Sequence, residues 1–214
     1  MVLSRYHLLV ALILLALVYA GPAPAQTSVT AEVKQVVDRV ITVVCDKELQ
    51  QPANEQKRQR ALKEAIGAIF DYAEMAERSL GRHWKGHTPA EHAEFVRLFE
   101  TLLENSYAGV IESYSDEKIS YLQETVEGDY AEVKSKVVTA KREEFAIDYR
   151  LMKKGGRWVV YDVVNEGVSL IDNYKSQFNK IILKEGYEEL IKKMKSKKEE
   201  ITAPQKGFDA ATVA

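Results

Sequence analysis

Three of the four histidines fall in the stretch "HWKGHTPAEH", at His83, His87 and His92, and imidazoles so close together could ligate a metal ion. The spacing argues against it. An i, i+4 pair converges only on an unbroken helix, and Gly86 and Pro89 interrupt this one. Capping, packing beside Trp84 or plain solvation is the expected role, and no metal site is assigned. Asp148 and Asp162 are spaced to lie on adjacent strands of one hairpin. A carboxylate there could serve as acid or base in an isomerase-like enzyme with an apolar cavity, although any hairpin brings such a pair together. Ser169 lacks the G-x-S-x-G elbow of a nucleophilic serine and stands where a helix needs its cap. "KKGGRW" is a turn rather than a phosphate-binding loop. Cys45, the sole cysteine, ends the apolar run "VITVVC" and is expected to be a small buried hydrophobe; one thiol forms no internal disulfide. No catalytic residue is assigned.

The elements that position these residues begin after residue 25. Residues 1–25 read as a signal peptide: Arg5, an apolar run from Leu8 to Ala20, then Ala23-Pro24-Ala25. That run is shorter than the roughly 18–20 residues of a spanning helix, so export and cleavage near Ala25 are expected. The 214 residues carry a formal net charge of -2, with 46% hydrophobic and 29% charged side chains. This balance fits one globular domain, here 26–195, and gives no basic stripe for nucleic acid. Residues 196–214 read as a flexible C-terminal tail.

Apolar positions at helical spacing predict a helix from Thr30 to about Leu49 through Val33, Val36, Val37, Val40, Ile41 and Val44. A second helix is expected from Glu55 to Leu80. A third opens at Thr88, with Pro89 at its first position and Glu91 completing a capping box, and runs to about Tyr114. "KISYLQETV", "YAEVKSKVVT", "EEFAIDYRLMK" and "RWVVYDVVN" then read as four antiparallel strands. In the last, alternation groups Trp158, Val160 and Val164 against Val159, Tyr161 and Val163. Beyond Gly167 the period turns helical, through Val168, Ile171, Tyr174, Phe178 and Ile182. The fold class is α+β: helices packed on a curved four-stranded antiparallel sheet. Its stripes carry more tyrosine and aliphatic surface than two-layer packing needs. Either the core is well filled or an apolar cavity lies between sheet and helices.

Two stretches add a resemblance. "LGRHW" with the "TP" helix start, and "WVVYDVVNEGVSLIDNYKSQF", resemble the MlaC family of periplasmic phospholipid-binding proteins, and the likeness runs from about Val29 to Lys193. It implies a monomeric carrier, not an enzyme, with bound phospholipid as cargo and no cofactor. It implies as partners an outer-membrane lipoprotein complex and an inner-membrane ABC transporter bearing MCE domains. With that expectation the inward positions Phe99, Leu103, Tyr107, Ile111, Ile147, Tyr149, Val160, Val168, Ile171 and Tyr174 become candidates for the acyl pocket. Arg82 and Lys85 are exposed charge, or contacts for headgroup or partner. A carboxylate enzyme and an adaptor with a filled core are the rival readings.

Overall fold

The computed structural model describes residues 28–112, 114 and 117–196. Residues 1–25, read above as a signal peptide, and all but the first residue of the segment 196–214, read as a tail, lie outside the described residues.

Helix α1 (Val29–Cys45) starts where Ser28 Oγ accepts the Ala31 N–H at 3.1 Å. Helices α2 (Glu55–Gly67) and α3 (Tyr72–Leu80) stand where the sequence predicts one helix over 55–80. The break has a backbone cause. Val160 N–H donates to the Ile69 carbonyl at 2.8 Å and Asp71 N–H donates to the Val160 carbonyl at 3.0 Å, so this segment leaves the helix to pair with a strand. Asp71 then restarts the helix, its Oδ1 accepting the Glu74 N–H at 3.0 Å and its Oδ2 lying 2.5 Å from Lys154 Nζ. Burial alone would raise the Asp71 pKa, but the Lys154 ammonium and the Glu74 N–H outweigh it and hold the carboxyl below its ordinary value. Asp71→Ala is therefore expected to cost about 1–2 kcal/mol at pH 7, chiefly as a lost helix cap, read from the urea midpoint. The contribution is present above the unfolded value of 3.8 and fades as pH falls through the depressed folded value.

Helix α4 (Pro89–Glu112) opens with the expected box: Thr88 N–H donates to Glu91 Oε2 at 2.7 Å and Glu91 N–H to Thr88 Oγ1 at 3.3 Å. Strands β1 (Lys118–Glu127), β2 (Tyr130–Val138), β3 (Glu144–Lys154), β4 (Arg157–Asn165) and β5 (Val168–Ser169) form one antiparallel sheet in sequential order. The Gly155-Gly156 turn between β3 and β4 has φ of 58° and 81°, the left-handed pair that a tight hairpin demands. The fifth strand was not expected; Val168, read as part of a helical stripe, instead pairs with Asn165. Helix α5 (Leu170–Glu185) follows, with Ser169 Oγ accepting the Asp172 N–H at 3.0 Å as its cap. Gly186, at φ 90°, separates it from α6 (Tyr187–Ser196).

Two bulges curl the sheet. In β1 the register slips between Tyr121 and Gln123, and in β4 Leu151 pairs with Val160 while Arg150 pairs with Asp162, leaving Tyr161 as the extra residue. One extra residue inverts the alternation beyond it. Trp158, Val160 and Val163 consequently share a core cluster with α1, whereas Val164 falls on the opposite face with Asp162, correcting the grouping read from alternation. A second cluster fills the space among α3, α4, α5 and α6, with Phe99 near Phe95, Tyr174 and Phe178 at centroid distances of 6.1, 5.5 and 6.0 Å. Cys45 is exposed rather than buried, because α1 turns it outward at its last residue and Val44 takes the inward position.

Candidate functional site

Helix α1, helix α4 and the concave face of the sheet enclose a cavity of about 300 Å³. Each element contributes at its own period. Helix α1 supplies Val36, Val37, Val40, Ile41 and Val44, spaced three and four apart; β3 supplies Phe145, Ile147 and Tyr149, spaced two apart. Leu103, Tyr107, Val110 and Ile111 come from α4, Ile119, Val137 and Val163 from the other strands, and Ile66, Phe70, Tyr72, Met75, Tyr114 and Leu170 complete the apolar wall. Val36, Val37, Val40 and Ile41 are only half-buried, while Val29 and Val33 nearer the start of α1 are fully buried. The helix is thus held firmly at both ends, by Val29 and Val33 at its start and by Val44 at its last turn, and lightly over the span from Val36 to Ile41.

Charge is kept to a minimum on this surface. Burial lifts the Tyr107 and Tyr149 phenols well above their ordinary values, and burial with the nearby Glu104 and Glu100 pushes Tyr72 up to about 12, so all three are neutral at physiological pH. The charged residues on the wall are Glu104 and Glu117, and Glu104 Oε1 lies 2.9 Å from Lys63 Nζ.

The residues first considered for chemistry are engaged elsewhere. Asp162 accepts from Ser169 Oγ at 2.7 Å, from the Ile171 N–H at 3.1 Å and from Arg150 Nη1 at 3.2 Å. Burial raises its pKa, and the Ser169 and Ile171 hydrogen bonds hold that rise back. Asp148 accepts the Ser135 N–H at 3.3 Å, and neither aspartate lines the cavity. His92 stacks on Trp84 at 3.8 Å and meets the Trp84 carbonyl through Nε2 at 2.8 Å; His87 stacks on Tyr187 at 3.7 Å; His83 meets Asn179 Oδ1 at 3.0 Å. Arg82 donates to the same Asn179 oxygen at 2.8 Å. These imidazoles join the α3–α4 connection to α4, α5 and α6, and among the described residues no group could hold a metal ion.

Of the candidate pocket residues, Leu103, Tyr107, Ile111, Ile147 and Tyr149 come together on the cavity wall. The others are placed apart from it. Phe99 and Tyr174 lie in the helical cluster, Val160 packs in the α1–sheet cluster, Val168 sits in β5, and Ile171 borders a polar cleft between α3, β4 and α5. Sequence reasoning passed over the α1 stripe, Phe145, Val137 and Phe70 as lining residues. Their apolar spacing was visible; which helix would cover the concave face was not.

The family model described as MlaC protein matches residues 34–196, from the second turn of α1 to the end of α6. The chain belongs to the MlaC family. The intermembrane phospholipid transport system binding protein MlaC of Haemophilus influenzae is 23% identical over 197 residues, covering 90% of this chain and 92% of its own length. A solved structure, the phospholipid-binding protein from Ralstonia solanacearum in complex with a phospholipid, superposes with a TM-score of 0.72 at 29% identity, over 79% of this chain and 96% of that one. The MlaC match takes in every residue that lines the cavity. No helix among the described residues is long and apolar enough to cross a membrane.

Proposed function

We infer that this MlaC-family chain is a phospholipid carrier, with acyl chains in the cavity between α1, α4 and the sheet and the headgroup at its rim. The observation that carries the reading is the cavity itself: aliphatic and neutral aromatic walls, with the charged groups kept to two glutamates. The named H. influenzae and R. solanacearum relatives support it. Leu103, Tyr107, Ile111, Ile147 and Tyr149 are the proposed acyl contacts, joined by the α1 stripe.

Burying about 30 acyl carbons at roughly 0.8 kcal/mol each is worth on the order of 25 kcal/mol, so a phospholipid rarely crosses water alone. A cavity that takes the chains lowers that barrier. At about 300 Å³ it stands at the small end of ligand pockets, and two acyl chains require the lightly held span of α1 to move outward. Release requires a partner that stabilises the widened state. Such a carrier works as an exported protein in the periplasm, cleaved near Ala25, passing lipid between an outer-membrane lipoprotein complex and an inner-membrane MCE-type ABC transporter. It is a carrier and not an enzyme in this reading: Asp148 and Asp162, the carboxylates weighed for catalysis, stand off the cavity.

Gentle purification of the mature chain from a Gram-negative periplasm, followed by organic extraction and mass spectrometry, is expected to yield phospholipid in near-stoichiometric amount. An empty extract, matched by an unladen mass in native mass spectrometry, would return the chain to the adaptor reading.

A further inference from the structure

One charged residue of the cavity wall, Glu104, belongs to a charge pattern that acyl chains do not need. Lys63 on α2 sets its Nζ 3.0 Å from Glu100 Oε1 and 2.9 Å from Glu104 Oε1, both on α4. Glu104 lines the cavity, and Tyr72, another wall residue, lies within the field of all three charges. Helix α2 packs mainly on α1, and this bridge ties it to α4 at Glu104, on the cavity wall. The Lys63 side chain is 52% exposed, against 24% and 35% for Glu100 and Glu104, so the cluster runs from the cavity wall at Glu104 out to solvent at Lys63. Two carboxylates face one ammonium, which leaves the cluster negative by one charge.

A phosphodiester needs a cation, and a primary ammonium needs an anion. A headgroup that carries both can exchange with the bridge completely, its phosphate taking Lys63 while its ammonium takes the carboxylates that Lys63 releases. A headgroup with a phosphate and an uncharged polyol can take Lys63 but leaves two carboxylates beside an anion, an unfavourable juxtaposition. We propose that Lys63, Glu100 and Glu104 form the headgroup site, and that it selects phospholipids bearing an amine over those bearing an uncharged polyol. This rests on the carrier reading above and adds a specificity to it.

The test incubates the mature chain with vesicles of equal phosphatidylethanolamine and phosphatidylglycerol, re-isolates it and reads the ratio of the two captured lipids by mass spectrometry. The wild type is expected to be enriched roughly fivefold in the ethanolamine lipid. Glu100→Gln with Glu104→Gln removes the excess negative charge and should bring the ratio down to that of the vesicle or below. Lys63→Gln leaves the carboxylates uncompensated and should raise the ratio above the wild-type value. Opposite shifts from the two variants are the signature, because loss of a merely structural bridge would move both the same way. A wild-type ratio equal to that of the vesicle, or variants shifting together, would overturn the headgroup site while leaving the carrier intact. Absence of both lipids from the wild type would overturn the carrier reading itself.

Discussion

Tryptophan at both Val137 and Ile147 is expected to leave the chain folded and nearly free of lipid. Both side chains project from the sheet into the cavity, on β2 and β3, and both line it. Each indole takes space that acyl carbons would occupy. Excluding even four methylenes at about 0.8 kcal/mol each removes roughly 3 kcal/mol, on the order of a hundredfold in affinity. Overpacking a filled core costs about 1–3 kcal/mol per site, but a substitution that grows into empty space costs less. Extraction and mass spectrometry of the variant, beside a urea titration against wild type, reads both quantities. Undiminished lipid in a folded double variant would mean that the acyl chains lie elsewhere.

Phe99→Ala should do the reverse. Its ring has no exposed surface and packs among Phe95, Tyr174 and Phe178, away from the cavity wall. Truncating a buried phenylalanine costs about 3–5 kcal/mol, a large part of the stability of a domain this size. The denaturant midpoint is expected to fall accordingly, while the molecules that remain folded keep their lipid. A variant that is stable but empty would move Phe99 from the core to the site. Together the two substitutions separate packing from cargo, which apolarity alone does not.

That separation marks where sequence reading reached its limit. Phe99, Leu103, Tyr107 and Ile111 lie on one apolar stripe of α4, so periodicity treats them alike. In the fold Phe99 meets other rings, whereas Leu103, Tyr107 and Ile111 border open space. The same holds in β4. Val160 and Val163 share a core cluster only because Tyr161 is bulged, and no residue type in "VVYDVV" announces an extra residue. The break between α2 and α3 is also tertiary in origin, since Phe70 leaves helical geometry to pair with Val160, a residue far along the chain.

Features that follow from residue type alone are local. Ser28, Thr88 and Ser169 cap helices because their hydroxyl oxygens accept N–H groups only three residues ahead. Gly155-Gly156 turns a hairpin because both residues take positive φ. The order of helices, strands and helices, and with it the α+β class, follows from such short-range preferences together with hydrophobic period. The tertiary structure decided the cavity. A cavity is space that several apolar faces fail to fill, and that shortfall depends on the curl of the sheet, the seat of α1 and the reach of α4 at once. Each face would carry the same stripe had the space between them closed.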